Sequence, residues 1–313
     1  MFDIFQNTTR PKQDLFFKKN DSNDVRLGEI VSSSFDNYEQ SETIILGCPQ
    51  DEGVARNKGR IGAALAPDAI RTQFYKFTDF GVSAEIFDLG DTIIQKTLEE
   101  THDLQTEIVE QVLRDEKRLI ILGGGNDISY ADGAAMAKVF GTKNCLAFNI
   151  DAHFDVRAEF PRNSGTPYRQ LLEEEFILPE NFCEIGYQSQ VNSPVYFDYL
   201  KKSGAMMISL EDFQKNVQIE KIICSLRAAN CSLFWGFDAD SVRTSDAPGV
   251  SAPSPIGLTA EEFINLAGFA GSLDKTKIVE FTEVNPNFDI DNRTARLVAI
   301  AMHKFCQNVK EKG

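Results

Sequence analysis

Acidic side chains cluster at two points of this 313-residue sequence, with a spacing that suits the binding of a divalent cation. Asp151, His153 and Asp155 alternate directly after an apolar run, and Asp238 with Asp240 repeats the pattern after another. Residues at i, i+2 and i+4 of an extended segment point the same way, so each motif is expected to present its side chains on one face. Carboxylate oxygens with one imidazole suit Mn²⁺ better than Cu⁺ or a structural zinc site of thiolates.

Four aspartates that converge on one site need counter-ions, because desolvated like charges either protonate or recruit cations. Two divalent ions carry four positive charges and would balance them. The spacing therefore predicts a site of two metal ions, of the kind that activates water for hydrolysis. The alternative is that these aspartates are helix caps or turn residues. That reading fits each residue singly but explains the two motifs together less well.

The two motifs belong to a series of short apolar runs, each ending near Gly or Asp. Their residue types and lengths predict strands buried on both faces, and segments with helical spacing lie between them. The runs lie at 43–47, 84–90, 119–125, 145–151, 182–187, 205–210, 232–238 and 277–284, and helical spacing is found in Leu104–Leu113, Glu261–Leu273 and Ala295–Phe305. This alternation predicts a three-layer α/β/α fold with a mostly parallel sheet, whose ligands bind beyond the carboxyl ends of the strands.

Composition limits the classes of protein to consider. Hydrophobic residues make up 42% and charged residues 25% of the chain, which is typical of a globular protein. No low-complexity linker divides residues 1–313, so we expect one domain, with residues 1–40 as a polar lead-in. The net charge of −15 argues against nucleic acid or an anionic membrane as a partner. No apolar stretch is long enough to span a membrane, and six scattered cysteines favour free thiols in the cytoplasm.

Five motifs together resemble the ureohydrolase superfamily of arginases, agmatinases and formimidoylglutamases, in order and spacing, from about residue 43 to residue 308. They are GRIGA at 59–63, DAHFD at 151–155, GFDADSV at 236–242, APGVSAP at 247–253 and EVNP at 283–286. Within that superfamily the chain looks most like formimidoylglutamases. Three stretches carry the finer resemblance, at 51–60, 163–170 and 287–295.

The resemblance implies a parallel sheet of about eight strands and two Mn²⁺ ions per chain. It implies that Asp151 and Asp238 bridge the ions, that Asp155 completes the first site, and that His153 with Asp240 completes the second. Water between the ions would lose a proton and attack the carbon of an amidine or guanidine group. By the same resemblance Glu283 receives the cationic group of the substrate, so Glu283, Asp151 and Asp238 are the candidate catalytic residues.

The sequence departs from the family pattern at the first metal ligand. The family has a histidine after the glycine-rich strand end, and this chain has Asn126. A neutral carboxamide is a poorer donor than an imidazole, so we expect Asn126 to be a weak ligand and the first site to bind metal less tightly. Asp127 is next to it, although adjacent residues normally point apart.

Several other residues are candidates for substrate binding. Tyr168 occupies the position at which arginases carry a histidine that shuttles protons, which moves the chain away from arginase itself. The substrate-binding candidates are Arg157, Asn163, Ser164, Tyr168 and Arg243, with the two arginines placed to bind substrate carboxylates. His102 and His303 are expected on helices in structural roles, with His102 far from any strand end.

These residues predict a Mn²⁺-dependent hydrolase of a small amidino or guanidino acid, with N-formimidoyl-L-glutamate, giving L-glutamate and formamide, as the leading substrate. One alternative is an arginase or other guanidino-acid hydrolase that releases urea. Another, favoured by Asn126, is a metal-impaired pseudoenzyme with a regulatory or assembly role. Relatives that form trimers or hexamers imply a homo-oligomer.

Overall fold

The computed structural model describes residues 2–83, 85–215 and 230–310 of the chain. Nine strands form one sheet in this part of the chain. They are β1 (Thr8–Thr9), β2 (Thr43–Gly47), β3 (Ile86–Thr92), β4 (Arg118–Leu122), β5 (Cys145–Ile150), β6 (Phe182–Tyr187), β7 (Met206–Ser209), β8 (Ser232–Asp238) and β9 (Thr276–Thr282). Their order across the sheet is β1-β3-β2-β4-β9-β8-β5-β6-β7.

All eight predicted strands are confirmed, as β2 to β9, and these eight strands pair with one another in parallel. The strand predicted at 84–90 begins at Ile86, and residue 84 lies outside the described residues. The ninth strand, β1, was not foreseen. It lies antiparallel to β3 with Thr8 opposite Thr92, and two residues are too few to show an alternating pattern.

The segment predicted as a polar lead-in therefore adds a strand to the sheet. It also packs against the core, since Leu27 is fully buried and Tyr38 nearly so. Its apolar residues are spaced too irregularly to predict this from the sequence.

Ten α-helices are found among the described residues. They are α1 (Leu27–Ile30), α2 (Glu52–Arg56), α3 (Ala66–Phe74), α4 (Leu98–Arg114), α5 (Ser129–Phe140), α6 (Pro167–Glu173), α7 (Pro194–Ser203), α8 (Leu210–Gln214), α9 (Ala260–Gly271) and α10 (Arg293–Asn308). The three predicted helices are confirmed as α4, α9 and α10. A capping box of Thr97 with Glu100 begins α4, and such a box satisfies backbone donors that have no partner within the helix. None of the described helices is long and apolar enough to cross a membrane.

The two faces of the sheet bury separate hydrophobic clusters. On β2, Ile45 joins the cluster that includes α3, α9 and α10, whereas Ile44 and Leu46 join the cluster that includes α4 and α5. Successive strand residues point to opposite faces, so a strand buried on both sides reads as a continuous apolar run. The predicted three-layer α/β/α architecture is confirmed.

Parallel pairing brings the carboxyl ends of β4, β9, β8 and β5 to one edge of the sheet, where the loops after them meet. The loop after β4 passes close to the loop after β2, and a Cβ added at Gly124 would lie 1.6 Å from the carbonyl oxygen of Gln50. Only glycine fits there. The close approach places Asn126 at the start of the short 3₁₀ helix Asn126–Ile128, facing the tips of β5 and β9.

Candidate metal centre

Two groups of side chains that could hold a metal ion share one aspartate at this edge. One group is Asp151, His153 and Asp240, and the other is Asp151, Asp155 and Asp238. Within each group the candidate ligand atoms lie within 4.8 Å of one another. Asp151 belongs to both groups, which is the placement that a bridging carboxylate requires. Asp238, the other predicted bridging residue, belongs to the second group.

Backbone hydrogen bonds fix these side chains at the strand tips. Asp151 directly follows β5, and its N–H donates to the carbonyl of Ile185 at 3.0 Å. Asp238 is the last residue of β8, and its Oδ1 accepts the N–H of Asp240 at 2.8 Å. The imidazole Nδ1 of His153 lies 3.2 Å from Asp151 Oδ1 and 3.4 Å from Asp240 Oδ1. Each strand tip thus presents a buried carboxylate, Asp151 after β5 and Asp238 at the end of β8, to the centre.

Left-handed backbone conformations occur at three residues around the centre. Asp155 has φ of 46°, while Glu283 and Lys58 have φ of 62°. Such conformations cost on the order of 1–3 kcal/mol at a residue with a side chain and persist where the surroundings impose them. At Glu283 the N–H donates to the carbonyl of Gly124 at 2.9 Å, so the strained turn ties the tip of β9 to the glycine-rich loop.

The electrostatics of the centre call for added positive charge. Burial, reinforced by neighbouring carboxylates, raises the pKa of Asp155 and Asp238 well above the usual range. Burial also raises the pKa of Asp240, which His153 partly opposes. For His153 burial alone would lower the pKa, but Asp240 and Asp151 outweigh it and raise the value. Oxygen donors with one imidazole and excess negative charge fit hard divalent cations.

Asn126 lies in the centre, as expected, but its amide nitrogen faces the acids. Nδ2 donates to Asp155 Oδ2 at 2.6 Å and lies 3.5 Å from Asp151 Oδ2. The amide oxygen points away and accepts from the hydroxyls of Ser129 and Thr282, each at 3.0 Å. A metal ligand would have to present the oxygen to the acids, so this orientation differs from the one predicted for a ligand.

Asp127 points away from Asn126, as predicted, and makes contacts that were not foreseen. Its Oδ2 lies 2.7 Å from His102 Nε2 and accepts from Gln50 Nε2 at 2.6 Å. His102 is a structural residue on a helix, as expected, but the expectation that it lies far from any strand end was wrong. It is fully buried beneath the loop after β4. Helical spacing cannot show which loop a helix face covers.

A cavity of about 550 Å³ opens above the acids. Arg157, Ser164 and Glu283, three of the predicted substrate residues, lie in its wall. The wall also contains Lys58, which sequence reasoning missed. Lys58 lies between Asn57 and Gly59, residue types that favour a turn, and this was the one available signal. Among the described lining residues, Lys58 and Arg157 carry the permanent positive charges.

Three predicted substrate residues are placed elsewhere and need correction. Tyr168 is fully buried below the centre, where its hydroxyl lies beside Ser129 and its ring 5.1 Å from that of Phe182. Asn163 is buried, and its Oδ1 accepts the N–H of Gly165 at 2.9 Å, so it shapes the loop after β5. Arg243 pairs with Asp246 at 3.0 Å outside the cavity wall. The spacing of loop residues predicts which loop they occupy but not which way they point.

Comparison with known proteins agrees with this geometry. The arginase family profile matches residues 41–307. The chain belongs to the arginase family. The formimidoylglutamase of Staphylococcus aureus (strain bovine RF122 / ET3-1) is 37% identical over 268 residues, covering 83% of this chain and 84% of that protein.

Solved structures of this family show the same fold. Trypanosoma cruzi formiminoglutamase with two Mn²⁺ ions superimposes with a TM-score of 0.84 at 30% identity, covering 91% of this chain and 98% of that one. Formimidoylglutamase from Bacillus subtilis superimposes with a TM-score of 0.84 at 25% identity, covering 93% and 94% of the two chains. The predicted membership of the arginase and formimidoylglutamase superfamily is confirmed.

Proposed function

We propose that this chain hydrolyses N-formimidoyl-L-glutamate to L-glutamate and formamide at a centre of two Mn²⁺ ions. The observation that carries the proposal is a division of charge within one cavity. Its floor is lined by Asp155, Asp238 and Asp240, which group with the buried Asp151, and its wall holds Lys58 and Arg157. The floor suits divalent cations and the wall suits carboxylates, which are the features of a substrate with an amidine at one end and two acids at the other.

The residues present fit two divalent ions. Asp151 would be shared, Asp155 and Asp238 would hold one ion with Asn126, and His153 with Asp240 would hold the other. Bound ions of this kind lower the pKa of water and supply hydroxide at neutral pH. Mn²⁺ is proposed because the Trypanosoma cruzi relative contains it.

Glu283 is proposed to hold the substrate's cationic group and to carry the proton to the departing amine. Its carboxyl group lies in the cavity wall and is fixed by the N–H of Asn126, which donates to Oε1 at 2.8 Å. Burial raises the pKa of Glu283 to about 8. A group with a pKa near the operating pH serves well as both base and acid.

A substrate panel tests the reaction. Formamide and urea release would be measured on protein prepared with Mn²⁺, using formimidoylglutamate, arginine and other guanidino acids. We expect formamide from formimidoylglutamate and little urea. Urea from a guanidino acid without formamide release would instead identify a guanidino-acid hydrolase, and no turnover with two ions bound would identify a pseudoenzyme.

Arg157 provides a second test, on recognition of the substrate's acids. Arg157→Gln removes a charge-assisted hydrogen bond worth about 1.5–3 kcal/mol, so KM for formimidoylglutamate should rise about 10- to 150-fold with a smaller change in kcat. Arg243→Gln is the matched control, since the two side chains are similarly exposed, at 44% and 42%, and Arg243 lies outside the cavity wall. Equal KM values for the two variants would remove Arg157 from the proposed site.

We further propose that the chain acts as a single-domain homo-oligomer in the cytoplasm. One continuous sheet over the described residues supports a single domain. Light scattering on the purified protein measures the assembly, and the mass of a monomer would contradict it.

A further inference from the structure

The hydrogen bonds around Asn126 cannot all exist at once. Ser129 Oγ lies 3.0 Å from Asn126 Oδ1 and 2.5 Å from Glu280 Oε1. A serine hydroxyl has one proton and two lone pairs, so it donates to one of these oxygens only. If the proton goes to Glu280, Thr282 is the remaining donor to Asn126 Oδ1. Ser129 Oγ then faces the same amide oxygen at 3.0 Å with lone pairs only, and the two oxygens repel each other.

Glu280 is the better acceptor for the hydroxyl proton of Ser129. Its contact is the shorter by half an ångström, and it lies fully buried on β9. Its carboxyl group also lies within hydrogen-bonding reach of that of Asp132. Glu280 Oε2 and Asp132 Oδ2 have no donor among the described residues. One proton shared by those two oxygens leaves Glu280 Oε1 as an acceptor. Ser129 then has only lone pairs to offer Asn126.

A half-turn of the Asn126 amide removes the conflict. The amide nitrogen would then face Ser129 and Thr282, and its two hydrogens would satisfy both hydroxyls. The oxygen would face Asp155 in place of the nitrogen, which now lies at 2.6 Å from Asp155 Oδ2. At such a short distance the two oxygens would repel each other unless a cation is bound between them. The half-turn is therefore favourable when a metal ion occupies this place.

We propose that Ser129, held by Glu280, turns the Asn126 amide so that its oxygen faces the acids when a cation binds, which makes Ser129 and Glu280 positioning residues for the first metal site. The inference rests on the metal centre of the proposed function. It gives the asparagine a defined binding orientation and explains how a neutral amide serves where a histidine would otherwise be. Thr282 fits either orientation, since a hydroxyl both donates and accepts, so Ser129 decides.

Binding of Mn²⁺ tests this without reference to activity. Titration calorimetry, with electron paramagnetic resonance to distinguish paired from single ions, would compare the wild type with Ser129→Ala. We expect the first site to weaken about 10- to 100-fold, as when other residues that orient metal ligands are removed, while the second site is unchanged. Thr276→Val is a control for the loss of a buried hydroxyl, because Thr276 lies at the far end of β9 and its hydroxyl donates to the carbonyl of Ala270.

A second background separates orientation from general damage. In Asn126→Asp both side-chain termini are oxygens, so the side chain has no wrong orientation, and adding Ser129→Ala should change Mn²⁺ affinity less than 3-fold. An equal loss in both backgrounds would overturn the proposal, as would an unchanged affinity in Ser129→Ala alone. If the wild type binds two ions but does not turn over formimidoylglutamate, the proposed reaction fails while the orientation is still decided by the binding data. If it binds less than one ion, both fail.

Discussion

Two groups of buried acidic side chains occupy this sheet, and they differ in how their charge is balanced. On β3, Asp88 and Asp91 surround Arg71 of α3, which is fully buried. The guanidinium bonds both oxygens of Asp88 at 2.8 and 3.0 Å and Asp91 at 2.6 Å. Burial alone would lower the pKa of Arg71, but the two carboxylates outweigh it and raise the value. This group carries its own cation.

In the candidate metal centre, four aspartates group with one imidazole among the described residues, that of His153. Burial keeps the pKa values of Asp155 and Asp238 high instead. Buried carboxylates that lack a fixed cation are unfavourable for folding, and the comparison indicates that the centre retains them for a ligand that brings positive charge. The same residue type serves structure in one place and binding in the other, and the neighbouring cation makes the difference.

The largest contrast should come from one substitution made in both groups. Asp238→Asn removes a proposed bridging ligand and should lower kcat/KM by on the order of 10³-fold or more, as when one member of a set of residues acting together is lost. Its stability in the presence of a metal chelator should be unchanged or higher, because an amide, unlike a carboxyl group, needs no bound proton to stay neutral among the neighbouring carboxylates. Asp88→Asn should do the reverse, with near-normal kcat/KM and lower stability. Chemical unfolding in the presence of a metal chelator measures the stability of each variant, and a formamide assay measures its kcat/KM.

A destabilised Asp238→Asn protein in chelator would show that the centre is also balanced internally. Loss of activity in a folded Asp88→Asn protein at 25 °C would show that the Arg71 group takes part in catalysis. Either result would break the distinction between the two groups.

A smaller effect is expected from removing the buried cation. Arg71→Met takes the guanidinium away from the buried Asp88 and the partly buried Asp91. It should lower the free energy of unfolding by about 3–5 kcal/mol, as for other broken buried ion pairs. Arg114→Met is the control. Arg114 pairs with Glu110 on the surface of α4 at 2.7 Å and is 53% exposed, so its loss should cost less than about 1 kcal/mol. Urea titrations in chelator give both values, and equal losses would contradict the expected role of Arg71.

The sequence predicted the metal centre better than the Arg71 group. Asp151, His153 and Asp155 follow β5 with a spacing of two, and that spacing predicted that their side chains converge. The segment is not the extended one that the prediction assumed, since β5 ends at Ile150 and Asp155 has a φ of 46°. Arg71 and Asp88 lie on a helix and a strand that meet only through packing, and no spacing between them indicates a contact. Charge pairs of this kind depend on how α3 docks on the sheet.

The direction of loop side chains was the other limit. Arg157 lies in the loop after β5 and Tyr168 in the first turn of α6, which follows that loop, and the sequence assigned both to the substrate. One lines the cavity and the other is buried under it. The sequence also could not predict which side-chain atom of Asn126 faces the acids. That orientation depends on hydroxyls from α5 and β9, which are far apart in sequence.

The smallest effect concerns stability against pH. A carboxyl group with a higher pKa in the folded than in the unfolded chain adds stability that is complete below its unfolded pKa and is lost as pH rises through the folded pKa. Burial raises the pKa values of Asp155, Asp238 and Asp240, and it raises the pKa of Glu283 to about 8. In chelator the melting temperature should therefore fall between about pH 5 and pH 8, since unfolded carboxyls titrate near pH 4.

Saturating Mn²⁺ should oppose this fall, because the ions replace the protons. A concentration of 100 times Kd adds about 2.7 kcal/mol, and Kd itself falls as the ligands lose their protons. At a fixed Mn²⁺ concentration the gain in melting temperature should thus be larger at pH 8 than at pH 5, and a gain independent of pH would contradict this expectation.

Arg71→Met extends the pH experiment to the other acidic group. Burial raises the pKa of Asp91 and Arg71 opposes that rise, so without the arginine a further loss of stability with pH should appear, and Mn²⁺ bound at the other group should not remove it.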